Sequence, residues 1–256
     1  MKHLPRILCI GGHDPTGGAG IQADIETVTA LGGQALSLVT ALTAQDTHDV
    51  ASLLPTPADF FSAAARRLLH DIAPDAIKIG LIGSTALIPP LVRILRGFSG
   101  PVVLDPVLAA GGGFDLGAVR LVEAMREQLL PLVTLATPNR AEARRLAEKN
   151  DAALAARALI HAGAGAVLLT GADEAEGDVV TNHLYLRDGD PHAFQWPRLP
   201  QRYHGSGCTL SSACALYLAM GDGPVTAVDR AQSFTATALR AATQPGGGQW
   251  LPWRRG

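Results

Sequence analysis

The chain has 256 residues, enough for one large α/β domain, and with 47% hydrophobic but only 5% aromatic residues its core must be built from Ala, Leu, Val and Ile. A net charge of −2 with 17% charged residues leaves no basic stripe for nucleic acid, and no apolar run approaches the ~18 residues of a membrane span. The start, MKHLPRILCIGGHD, is too short in its apolar stretch for a signal peptide, and Cys9, Cys208 and Cys214 form neither a CxxC spacing nor an even framework. The chain therefore reads as a soluble, cytoplasmic protein with reduced thiols.

Short apolar runs alternate with amphipathic ones along the chain. RILCI predicts a strand ahead of the helical GGAGIQADIETVTALGG; ALSLVTA predicts a second strand, followed by a polar loop and the helix PADFFSAAARRLLHD. AIKIG precedes STALIPPLVRILRGF, and PVVLDPVL precedes a Gly-rich loop and GAVRLVEAMREQLL. VTLAT leads into PNRAEARRLAEKND, and AVLLTGA opens a segment with two weaker strands, NHLYLRD and HAFQWP. CTLSSACALYLAMG and GPVTAVDRAQSFTATALRAAT predict the last two helices. Such alternation implies one domain over residues 1–256, a mostly parallel sheet with helices on both faces, and a site beyond the carboxyl ends of the strands.

Several residues stand out against that frame. HGSGCTLSSA places Gly205, Ser206 and Gly207 at the mouth of a helix, where unpaired N–H groups and the helix dipole favour an anion, and where Cys208 is expected to have its thiolate favoured. The glycines of GGHDPTGGAGIQAD fit neither a P-loop nor G-x-G-x-x-G, yet they permit close backbone approach. Asp24 shares a helix face with Ile21, Ile25 and Val28, which suggests a carboxylate turned into a pocket rather than into water. Gln45 offers an amide donor and acceptor side by side, suited to a heterocycle. Asn139 with Glu142 three residues on is a capping box on its spacing, and a means of arranging metal-bound water is the other reading. Asp105 closes PVVLD as a site carboxylate or as a turn residue before Pro106. Lys78 inside AIKIG reads as an edge-strand lysine.

Taken in order, GGHDPTGGAGIQAD, TALTAQ, KIG, LDPV, TPNRAEA and HGSGCTLSSA resemble the hydroxymethylpyrimidine and phosphomethylpyrimidine kinases of thiamine biosynthesis, within the ribokinase-like superfamily. The resemblance implies the three-layer α/β fold of that superfamily, ATP and Mg²⁺, a small pyrimidine substrate and a homodimer. It places the aminopyrimidine near Gly12, Asp24, Gln45 and His204, with Val107 lining the pocket and Leu81 where relatives often carry methionine. It makes Gly205, Ser206 and Gly207 an anion hole for the transferred phosphoryl group and Cys208 the catalytic residue. Asn139 and Glu142 match an Asn-x-x-Glu motif tied to Mg²⁺ and phosphate, with Asp105 as a second metal carboxylate. Thr170, beside Gly171 on the nucleotide side, stands where many relatives carry a lysine. A pyridoxal or pyridoxine kinase is the neighbouring alternative, and a non-catalytic pyrimidine-binding regulatory module is the alternative from another class.

Overall fold

The computed structural model describes residues 4–108, 119–174 and 177–255. The Gly-rich loop read after PVVLDPVL lies outside these residues. A nine-stranded sheet forms the middle layer, in the order β3-β2-β1-β4-β5-β6-β7-β8-β9. Its strands are β1 (Arg6–His13), β2 (Gln34–Gln45), β3 (Val50–Pro55), β4 (Ala76–Ile79), β5 (Val102–Leu104), β6 (Leu135–Ala136), β7 (Ala166–Leu169), β8 (Val179–Leu186) and β9 (His192–Pro197). The run from β2 through β7 is parallel; β3 at one edge and β8 and β9 at the other are antiparallel. The segment after ALSLVTA, expected as a polar loop, thus contains a strand, β3, that pairs back on β2.

Helices cover both faces: α1 (Gly20–Ala30), α2 (Ala58–Asp71), α3 (Ile88–Arg96), α4 (Val119–Ala124), α5 (Arg140–Ala147), α6 (Ala152–His161), α7 (Ser206–Ala219) and α8 (Pro224–Arg240). The sequence reading has no counterpart for α6, which starts on Asp151, whose side chain accepts from Leu154 N–H. Side chains alternate across each strand, so the sheet divides two cores. Leu8 and Ile10 of β1 and Ile77 and Ile79 of β4 join Phe61 of α2, Leu91 of α3 and Leu146 of α5. Ile7 and Cys9 face the other way, against Ile21 and Val28 of α1, Cys214 of α7 and Val228 of α8. The expectation that Cys9 and Cys214 are small core hydrophobes holds, since both are fully buried. No helix among the described residues is long and apolar enough to cross a membrane.

Lys78 is a correction. Its strand, β4, lies between β1 and β5 in the middle of the sheet, and the side chain is fully buried. The alternation that puts Ile77 and Ile79 into one core turns Lys78 into the other, where Asp24 of α1 meets its Nζ at 2.7 Å. The partner carboxylate is what lets an ammonium sit in mid-sheet, because a buried charge without one costs several kcal/mol.

Candidate active site

The carboxyl ends of the parallel strands open into a cavity of about 730 Å³, within the usual range for a small-molecule site. Gly12, Gln45, Leu81, Asp105, Val107, Asn139, Glu142, Thr170, His204, Gly205, Ser206, Gly207 and Cys208 all line it, so residues from across the chain converge on one cavity.

The mouth of α7 is built by a tight approach of two loops. Gly205 caps the helix in the left-handed region, at φ +86°, and a Cβ there would fall 1.8 Å from the carbonyl oxygen of Gly18. Only glycine fits. Thr209 N–H donates to Gly205 C=O, which leaves the N–H groups of Ser206, Gly207 and Cys208 free of intrahelical partners. That is the donor arrangement an anion needs.

Asp14, which the sequence reading passed over, organises the loop opposite. Its Oδ1 accepts from Thr16 N–H and Thr16 Oγ1–H, both at 2.8 Å, and its Oδ2 accepts from Ala19 N–H at 2.7 Å. The same Oδ2 lies 2.8 Å from His204 Nε2, which is also 3.3 Å from Gln45 Nε2. Burial alone would raise the Asp14 carboxyl, but the hydrogen bond and charge of His204 and the donors of Thr16 outweigh it and hold it at about 2. The Asp-Pro-Thr-Gly run, with its Asx-turn chemistry, was the signal available for it.

Asp24 is a second correction. It is fully buried and lies beneath the cavity rather than in its wall; its Oδ1 accepts from Lys78 Nζ and Ser212 Oγ, each at 2.7 Å. The carboxylate on the apolar helix face answers an internal lysine through Oδ1, while its buried Oδ2 has no hydrogen-bond partner among the described residues. Lys78 does reach the cavity wall. Burial works against its charge, yet Asp24, Cys208 and Asp105 outweigh that and hold the ammonium above its ordinary range.

Cys208 is the third correction. Desolvation pushes its thiol up, the charges of Asp24 and Asp105 add to that, and Lys78 and the N–H of Gly20 only partly oppose them; the result is about 11. The helix mouth does not hold a thiolate in the ligand-free protein.

Asn139 and Glu142 form the capping box of α5: Asn139 Oδ1 accepts from Glu142 N–H at 2.8 Å and Glu142 Oε2 accepts from Asn139 N–H at 2.9 Å. The capping role does not remove Glu142 from the cavity. Burial, then the charge of Asp105, pushes its carboxyl up to about 8. Asp105, just past the end of β5, is raised by burial to about 6, with Lys78 opposing and Asp24 adding. The charge of Asp105 thus adds to the lift on Glu142, whose hydrogen-bond donors are the backbone N–H groups of Asn139 and Leu108.

Thr170, at the end of β7, lines the cavity, while Gly171 does not: its N–H is spent on Asn182 Oδ1 at 2.9 Å, a fourth correction. Asn182 then donates to Gln232 Oε1 at 2.7 Å, which also accepts from Trp196 Nε1–H at 3.1 Å. These three wall residues were legible only as polar interruptions within β8, β9 and α8.

The family model of phosphomethylpyrimidine kinase matches residues 14–252. The chain belongs to that family. It is 38% identical to a hydroxymethylpyrimidine/phosphomethylpyrimidine kinase of Streptomyces coelicolor, over 95% of this chain and 92% of that protein. A thiamine biosynthesis bifunctional protein of Geobacter sulfurreducens is 40% identical over 94% of this chain, which spans half of its length. Among solved structures, a pyridoxal kinase from Staphylococcus aureus in complex with ADP superposes with a TM-score of 0.89 at 29% identity, covering 98% of this chain and 93% of that one. The phosphomethylpyrimidine kinase family and this neighbour agree with the ribokinase-like, three-layer architecture described above.

Proposed function

We propose that the chain transfers the γ-phosphoryl group of ATP to 4-amino-5-hydroxymethyl-2-methylpyrimidine and then to its monophosphate, giving the diphosphate used in thiamine biosynthesis. One observation carries the reading: the free N–H groups at the mouth of α7, with Cys208 among them, face the same cavity as Asp105 and Glu142. In each round the acceptor oxygen bonds to the γ-phosphorus as the bond to ADP breaks. Such transfer rests on positioning and on electrostatic stabilisation of the moving phosphoryl group, which the helix mouth provides.

Asp105 and Glu142 fit Mg²⁺, which is commonly held by one or two carboxylates together with substrate phosphates, and their mutual repulsion is what such a cation relieves. When bound it supplies charge neutralisation to the phosphates. Cys208 takes the proton of the attacking alcohol as its thiolate, formed when its own thiol proton passes to water, and Lys78 is the cation that favours that ionised form. A thiol that is neutral at rest also suits the second acceptor. A phosphate monoester, with second pKa about 6, is already largely deprotonated at neutral pH, and a standing thiolate would repel it.

The homodimer belongs to this proposal; exposed Leu42, Leu54 and Phe60 around the β3 edge support it, and sedimentation of the purified chain tests it. The deciding experiment measures ADP release with MgATP against hydroxymethylpyrimidine, its monophosphate and pyridoxal. Turnover of both pyrimidines is expected. Turnover of pyridoxal alone assigns the neighbouring activity, and binding without turnover assigns a regulatory module.

A further inference from the structure

Arg254 lies far along the chain from every motif named so far and outside the cavity wall, yet its side chain is only 1% exposed. The guanidinium reaches three separate elements. Nη2 donates to Gly18 C=O in the β1–α1 loop, at 2.5 Å; Nε donates to Thr209 Oγ1 in the first turn of α7, at 2.8 Å; and Nη1 donates to Glu26 of α1, at 3.2 Å. Thr209 Oγ1 in turn donates to Gly205 C=O at 2.8 Å. The Gly18 carbonyl is the atom that leaves no room for a side chain at Gly205, and Arg254 Nη2 would lie 2.9 Å from such a Cβ. One guanidinium therefore grips both loops at the point of their closest approach.

The tail that carries it is itself anchored. Trp253 N–H donates to Ala238 C=O of α8, Leu251 pairs with Thr243, and His204 N–H donates to Trp250 C=O. The segment that seats Arg254 thus also holds His204 on its approach to the helix mouth.

We infer that Arg254 is a positioning residue for phosphoryl transfer, its planar fork fixing the N–H groups of Gly205 to Cys208 against the β1–α1 loop. The inference rests on the kinase reading. A point charge on a flexible stem does not reproduce the function, because an ammonium lacks the fixed fork that spans Gly18 and Thr209 together. The role is one of geometry at the transition state. It reaches the reaction through the loop, where a small displacement of the donors weakens stabilisation of the moving phosphoryl group while the pyrimidine pocket, walled by Leu81 and Val107, keeps its shape.

The test compares Arg254→Met and Arg254→Lys with the native chain, with kcat, KM for hydroxymethylpyrimidine and thermal midpoint measured side by side, and amide exchange of Thr209, whose N–H donates to Gly205 C=O, in the ligand-free proteins. For Arg254→Met a fall in kcat of about 100-fold is expected, with KM for the pyrimidine within about threefold and faster exchange at Thr209. Arg254→Lys should stay at least about tenfold below native. The inference is overturned if kcat of Arg254→Met is within threefold of native, if Arg254→Lys restores full activity, or if kcat and KM worsen together in step with the thermal midpoint. Should Arg254→Met not fold, Thr209→Val breaks the relay to Gly205 with little change of shape; unchanged kcat there also overturns it. A native chain with no turnover on any acceptor refutes the kinase reading instead, and unaltered exchange at Thr209 refutes the positioning role independently.

Discussion

The two ends of the cavity treat charge in opposite ways. Around the β1–α1 loop each acid has a counterpart: Asp14 meets His204, Asp24 meets Lys78, and Glu26 meets Arg254. Around β5 and α5, burial raises both Asp105 and Glu142, the charge of Asp105 raises Glu142 further, and the donors to Glu142 are backbone N–H groups. The first end is completed by the protein and the second awaits a ligand. Their pH signatures are opposed as well. Asp14, held at about 2, contributes stability that is present above its unfolded value near 4 and is lost as pH falls through that value toward 2. Glu142, raised to about 8, contributes stability that is present at low pH and is lost as pH rises from its unfolded value near 4 through 8.

The largest effect should come from breaking the balanced end at its centre. Lys78→Met leaves Asp24 as an uncompensated buried charge and should destabilise the fold by about 3–5 kcal/mol, read from urea unfolding; pairing it with Asp24→Asn should restore much of the loss. Next, Cys208→Ala should lower kcat for the alcohol by about 10²–10³-fold and for the monophosphate markedly less, since only the alcohol needs its proton removed. Equal losses on both acceptors would argue against Cys208 as the base.

Asp14→Asn should cost about 2 kcal/mol at pH 7, and the deficit should shrink as pH falls from about 4 and vanish below about pH 2, where the native carboxyl is itself protonated. A pH-independent deficit would mean that packing rather than charge is at issue. At the unbalanced end the sign reverses: Glu142→Gln should stabilise the ligand-free protein by about 1–2 kcal/mol at pH 9 and by little at pH 5, while removing most of the thermal shift given by MgATP. A destabilised variant at pH 9 would collapse the contrast between the two ends.

The sequence carried the sheet and its helices because the Val, Ile and Leu runs are short and regularly spaced, and it carried the helix mouth because Gly-Ser-Gly-Cys before an apolar helix has few other uses. What it withheld depends on partners distant along the chain. Lys78 sits in a four-residue strand, too short for its pattern to say whether β4 is an edge or a centre. Asp24 was visible as a carboxylate on an apolar face, but only the fold shows that the face meets a lysine 54 residues away. Cys208 has the helix mouth written beside it, whereas Asp105, which helps reverse the expected shift, arrives from another strand. Arg254 belongs to a tail without periodicity, and no local pattern marks it.

The grip of Arg254 on Gly18 joins residues 236 positions apart. A chain synthesised from its amino end has its central strands, and even α7, well before residue 254 leaves the ribosome. During translation the sheet can form while the Gly18 carbonyl and the Thr209 hydroxyl still lack the guanidinium that ties them. Phosphoryl-transfer competence would then arise only after the nascent chain already holds most of this domain's core.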